Sequence, residues 1–159
     1  MEEKYIIEKI YKKGLTATIL RLGTIYGTSK GMRFYTVVNK FCWQAFQNIP
    51  LTVWKTAYLQ KRPYLDINDA INCIKYLIKK NIFDGQIYNV ATNNLSVKLI
   101  IQIIKKFKKI RIKLVKNKIM NQLSYEANCD KIIDKGFKFK GNIQNQIRKT
   151  INLFRAIDL

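Results

Sequence analysis

Apolar positions along the chain fall into short blocks whose spacing switches between that of a helix and that of a strand. Glu2 to Lys13 sets Tyr5, Ile6, Ile10 and Tyr11 among charges at helical intervals, and Gly14 follows where a left-handed cap would stop the helix. Thr16 to Leu22 is β-branched and nearly continuous, which predicts a strand buried on both faces of a parallel sheet. A loop from Gly23 to Gly31 leads to helical spacing over Phe34–Asn48, closed by Pro50. Short strands are predicted at Leu51–Trp54 and Arg62–Ile67. Asn68 or Asp69 is then placed to cap a helix over Ala70–Lys80. Asp84-Gly85 reads as a turn and Gln86–Ala91 as another buried strand. Ser96 is expected to cap a strongly periodic helix over Val97–Lys108, with a strand at Arg111–Val115 behind it. Helices over Asn128–Lys135, stopped at Gly136, and from Ile143 to about Arg155 close the chain. Strands alternating with helices of this length predict an α/β architecture.

Composition narrows the class. A chain of 159 residues that is 48% hydrophobic and 12% aromatic can build one ordinary core, which excludes general disorder. Its apolar blocks are broken by charge well short of the roughly 18 residues of a membrane span, and the acidic start lacks the form of a secretory signal, so a cytoplasmic protein is expected. Cys42, Cys73 and Cys129 are odd in number, widely spaced and unaccompanied by histidine. They read as core residues rather than a disulfide framework or a metal site.

The net charge of +20 and a pI near 10.0 raise the question of a polyanion partner. The lysines are spread through Lys12-Lys13, Lys79-Lys80, Lys105-Lys106, Lys108-Lys109 and Lys113 to Lys118, on the polar sides of apolar stripes. A solvated surface is the expectation, and a face for nucleic acid or another anionic surface is the alternative.

The segment Ile19-Leu20-Arg21-Leu22-Gly23-Thr24-Ile25-Tyr26-Gly27 resembles the L-R-x-x-N-x-Y-G strand and loop of the extended short-chain dehydrogenase/reductases. Asn39-Lys40-Phe41, Leu51 to Trp54, Arg62 to Ala70, Ile87 to Val90 with Ser96-Val97, and Lys131 to Phe137 follow in that family's order. The chain is therefore similar to the C-terminal portion of NAD-dependent epimerase/dehydratases acting on nucleoside-diphosphate sugars. The resemblance implies an incomplete Rossmann-type fold, holding the last strands of the parallel sheet, and a small C-terminal substrate-binding lobe. Residues 1–159 would form a single incomplete domain. Residues 1–28 and about 62–93 would lie on the Rossmann side, 29–61 and 94–159 in the lobe.

Two features of such enzymes are missing. The glycine-rich strand-to-helix turn that meets the NAD pyrophosphate is absent, because Gly23, Gly27 and Gly31 have the wrong spacing and do not open directly onto a helix. The catalytic Tyr-x-x-x-Lys pair, in which an ammonium one turn away lowers the tyrosine pKa, has only a look-alike in Tyr5 and Lys9. Lys9 stands too close to Gly14, and the register puts the true pair before Met1. Neither catalytic nor cofactor-binding residues are assigned, and the chain alone is not expected to bind NAD.

The resemblance carries over several substrate contacts. Arg62 falls where the family has an arginine on the diphosphate, a task suited to a planar, permanently charged fork. The blander alternative is an ion pair with Asp66 or Asp69. Thr24 stands where the family has a sugar-contacting asparagine, with a shorter reach and no amide. Asn39 matches a helix-start asparagine near the phosphates, or else a polar cap. Thr52 and Trp54 match the strand under the nucleobase, Tyr125 a substrate-side tyrosine, and Lys118 a phosphate-side cation. Arg33 is a further candidate anion contact, for which a solvated loop charge is the blander and favoured account.

The leading expectation is thus the sugar-nucleotide-binding part of an NAD-dependent epimerase/dehydratase, inactive alone. Two alternatives stand beside it: a basic polyanion-binding module, and a subunit completed by a separately encoded N-terminal half. A homodimer is also open.

Overall fold

The computed structural model describes residues 2–116 and 124–157. Helix α1 (Glu2–Lys13) ends at Gly14, whose φ of 64° is the left-handed cap expected of it. None of its residues is fully buried, and Ile10 packs over the turn glycine Gly85.

Strand β1 (Ile19–Leu22) is shorter than the sequence suggests and is not buried on both faces, since Arg21 and Leu22 are exposed. It pairs in parallel with β5 (Ile87–Val90) on one side only among the described residues. Arg21 instead reaches Glu3 of α1 through a two-pronged contact, with Nε to Oε1 at 2.7 Å.

Gly23 donates to the Val90 carbonyl at 2.9 Å, and the chain then leaves that sheet. A Cβ at Gly23 would stand 3.0 Å from the Pro63 carbonyl oxygen, so glycine lets the crossing strands approach. Strand β2 (Thr24–Tyr26) begins at once, where the sequence suggests a loop. It pairs in parallel with β4 (Lys61–Asp66), whose other edge holds β6 (Asn93–Ser96) antiparallel. Strand β6 is likewise absent from the sequence reading. A third sheet joins β3 (Leu51–Trp54) in parallel to β7 (Ile112–Val115).

Alternation along β4 divides the interior. Tyr64 enters a cluster built from α2 (Val37–Phe46), α4 (Val97–Lys105), α6 (Ile143–Ile157) and β3. Leu65, on the opposite face, enters a second cluster with Cys73 and Leu77 of α3 (Ile67–Lys79), Tyr88 and Val90 of β5, and Ile132 of the short helix α5 (Asp130–Asp134). Phe137 joins the second cluster as well, so the stretch around α5 packs beside the β1–β5 pair. The first cluster also holds Tyr26 of β2.

Helix boundaries follow local chemistry. Helix α3 starts at Ile67 because Asp66, not Asn68 or Asp69, caps it, its Oδ1 accepting from Asn68 N at 2.8 Å. Ser96 caps α4 as expected, accepting from Leu99 N at 3.3 Å. Helix α2 ends before Asn48, whose φ of 56° turns the chain toward Pro50. No helix among the described residues is long and apolar enough to cross a membrane.

Candidate functional site

The crossing from β1 to β2 forms one wall of a cleft of about 460 Å³. Gly23 and Thr24, the loop through Ser29 and Arg33, and Thr36, Asn39 and Ile67 line it. The loop is held by Asn39, which is 3% exposed. Its Oδ1 accepts from Gly27 N at 3.2 Å and its Nδ2 donates to the Arg33 carbonyl at 3.2 Å. Thr36 Oγ1 also donates to that carbonyl at 3.0 Å, so it does not cap α2 through its side chain. Asn39 thus closes residues 27–33 into a fixed rim. Both ends of its amide are engaged with main chain.

Arg62, at the start of β4, does not line this cleft. Its guanidinium carbon lies 4.8 Å from the Tyr125 ring centroid, and Nη2 donates to Gln60 Oε1 at 3.3 Å. Main-chain and hydroxyl contacts bring the two together, with Tyr125 N donating to the Lys61 carbonyl at 3.2 Å and Lys61 N to Ser124 Oγ at 3.0 Å. Asp66 and Asp69, the carboxylates suggested as ion-pair partners for Arg62, are instead committed elsewhere. Thr52 and Trp54 stand on a third surface, the outer side of the β3–β7 pair, with Trp54 half exposed. The cleft therefore gathers Thr24, Arg33 and Asn39. Arg62 with Tyr125, and Thr52 with Trp54, form two separate groups, and Lys118 lies outside the described residues.

The sequence reading missed a buried polar junction beside the cleft. Asp69 is 1% exposed and accepts from Thr92 Oγ1 at 2.8 Å, Lys140 N at 2.9 Å and Gly141 N at 2.9 Å. Thr92 Oγ1 also accepts from Asp66 N, and Gln146 of α6 donates to Asp66 Oδ1 at 3.1 Å. Burial pushes the Asp66 carboxyl above its usual range, against the hydrogen bonds that favour its charge. The buried Tyr26 hydroxyl has no hydrogen-bond partner among the described residues. Burial first, then the charges of Asp66 and Asp69, raise its pKa, so it stays protonated. Only the extra acid in Asp66-Ile67-Asn68-Asp69 hinted at this junction, because the partners of Asp69 are 23 to 72 residues away in sequence.

The chain matches the profile of the NAD dependent epimerase/dehydratase family over residues 2–91, more than half its length. It belongs to that family. This epimerase/dehydratase chain is 31% identical over 102 residues to a chloroplastic UDP-sulfoquinovose synthase of Spinacia oleracea, covering 54% of the chain and 21% of that protein. Its fold is similar to that of the UDP-glucose 4-epimerase of Thermus thermophilus solved with NAD, at a TM-score of 0.83 and 19% identity. A UDP-glucose 4-epimerase of Thermotoga maritima solved with UDP-glucose gives 0.78 and 20%. These two likenesses cover 97% and 99% of the chain but 51% and 52% of the neighbours. The chain spans about half the length of the solved structures it matches.

NAD belongs to this family, and in such folds its pyrophosphate lies on main-chain N–H groups at a glycine turn opening a helix. The described residues do not fit that task. The Gly27 N–H is spent on Asn39, and nine residues separate Gly27 from Val37, where α2 begins. Tyr5 is exposed and Lys9 half-buried, with the Lys9 ammonium 4.9 Å over the Tyr5 ring. Among the described residues no group of His, Cys, Asp or Glu could hold a metal.

Proposed function

We propose that this epimerase/dehydratase chain is the nucleoside-diphosphate-sugar-binding part of an enzyme whose NAD-binding part is supplied by further polypeptide, in the same chain or another. The observation that carries this reading is the stacking of Arg62 on Tyr125. Stacking fixes the plane of a guanidinium, and a fixed planar fork of N–H donors suits a diphosphate. Thr24 then faces the sugar, Asn39 acts by holding the loop, and Thr52 and Trp54 lie toward the nucleobase. The spinach relative and both UDP-glucose epimerases are named for UDP-sugars, which supports the substrate class. Two surfaces provide an apolar seat for the missing sheet and helices. One is the side of β1 that has no strand partner among the described residues, with Leu22 at 43% exposed. The other is the outer stripe of α3, with Ile71, Ile74 and Ile78 at 44% to 60%. Without that part the chain binds substrate and does not turn it over.

One observation favours a second reading. All ten acidic residues lie within 2–8, 66–84, 126–134 or at 158, so α2, β3, α4, β7 and α6 carry none. Such a lobe would attract nucleic acid or another polyanion through charge alone. Calorimetric titration of the 159-residue chain with UDP-glucose and with single-stranded nucleic acid separates the two. The proposed function requires saturable UDP-glucose binding that Arg62→Met weakens about tenfold, as expected for loss of a charge-assisted contact. Binding to nucleic acid alone, steeply salt-dependent and indifferent to Arg62, would establish the second reading instead.

A further inference from the structure

We infer that the cleft beside Thr24 selects a sugar bearing its own acidic group, a carboxylate or sulfonate, and that Arg33 is the residue that reads it. The inference rests on the reading of the chain as a nucleotide-sugar binder and extends it to the class of sugar. Among the described residues Arg33 is the only charged one lining the cleft, and the other polar side chains there are the hydroxyls of Thr24, Ser29 and Thr36 and the engaged amide of Asn39. No Asp or Glu occurs between residues 9 and 65, and Arg33 makes no ion pair among the described residues. The cation is therefore not neutralised by the loop that presents it.

The main-chain carbonyl of Arg33 is held by two donors. Its carbonyl accepts from Thr36 Oγ1 at 3.0 Å and from the buried Asn39 Nδ2 at 3.2 Å, and the same Asn39 holds Gly27 across the loop. A buried amide spent on the main chain of a cationic rim sets the origin of the guanidinium before ligand arrives. Tyr35, whose ring centroid lies 5.8 Å from the guanidinium carbon, limits its remaining freedom. The diphosphate already has a fixed arginine in Arg62, which stands outside the cleft. Two separated arginines, one of them lining the cleft with Thr24, match a substrate with two anionic centres. A neutral sugar would need only the hydroxyls.

The test titrates the full 159-residue chain with UDP-glucuronic acid, UDP-glucose and UDP, for wild type, Arg33→Met and Arg33→Lys, each checked for native circular dichroism. Wild type should hold UDP-glucuronic acid about tenfold tighter than UDP-glucose. Arg33→Met should erase that preference while leaving UDP-glucose and UDP unchanged, and Arg33→Lys, which keeps the charge without the fork, should fall between. Equal binding of the two UDP-sugars by wild type overturns the inference and leaves the proposed function standing. A uniform loss for all three ligands in Arg33→Met also overturns it, by placing Arg33 on the diphosphate. Failure of every UDP ligand to bind overturns the proposed function and the inference together.

Discussion

Replacing Asp69 by alanine should be among the most damaging single changes available to this fold. The carboxylate is 1% exposed and receives three donors, the Thr92 hydroxyl at 2.8 Å and the main-chain N–H groups of Lys140 and Gly141 at 2.9 Å. Through them it ties the start of α3 to the approach to β6 and to the turn leading into α6. Alanine leaves two part-buried main-chain donors and the Thr92 hydroxyl without their acceptor, each costing about 1–2 kcal/mol. Relief from burying a charge offsets part of this, leaving a net loss of roughly 3 kcal/mol. Asp69→Asn keeps the volume but turns an amide N–H toward one of the three donors, for a loss of about 2 kcal/mol. With an m value of about 2 kcal/mol per molar urea, Asp69→Ala should lower the unfolding midpoint by roughly 1.5 M at unchanged m. Equilibrium urea unfolding followed by tryptophan fluorescence measures this. A midpoint within about 0.3 M of wild type would refute the view that this junction ties α3 to β6 and α6.

Asn39→Ala should free the rim of the cleft by removing both of its clasps, at a cost of about 2 kcal/mol, and limited proteolysis should then cut within residues 27–36 before any other internal site. Asp84 gives a pH signature. Burial pushes its carboxyl up, but the Tyr88 hydroxyl at 2.6 Å, the Lys135 ammonium at 3.0 Å and the Gln86 N–H outweigh that and bring it down to about 2. A depressed folded-state pKa contributes stability above the unfolded value near 3.8 and loses it as pH falls toward 2. Asp84→Asn should therefore cost on the order of 1–2 kcal/mol at pH 7, after screening by solvent, and almost nothing near pH 2, read from urea midpoints at both.

Elements whose apolar residues repeat strongly were legible before any coordinates. Helix α4 was placed by its isoleucines and by Ser96, and α3 by the stripe whose inner side holds Ala70, Cys73 and Leu77. Strands β2 and β6 were not, because Thr24-Ile25-Tyr26 and Asn93-Asn94-Leu95-Ser96 have the composition of loops. They are strands because β4 offers both of its edges. The cap of α3 was misplaced because three capping residues crowd Asp66 to Asp69, and only the path of β4 selects the first of them. Among the candidate contacts, the ordered family segments pointed to Arg62, Thr24 and Asn39 singly, and the family resemblance separately to Tyr125. Neither the stacking of Arg62 on Tyr125 nor the use of Asn39 as a loop clasp could be read from spacing, because both depend on contacts that link separate elements.

The central claim is that this chain carries a sugar-nucleotide site laid out from Thr24 through Arg62 and Tyr125 to Trp54. Two-dimensional amide NMR of the chain titrated with UDP-glucose tests it most directly. Saturable shift changes are expected at Thr24, Arg62, Tyr125, Thr52 and Trp54, with the lysines of α4 and α6 unmoved. Changes scattered over Lys98 to Lys113 and Arg148 to Arg155, growing without saturation and vanishing with added salt, would contradict it.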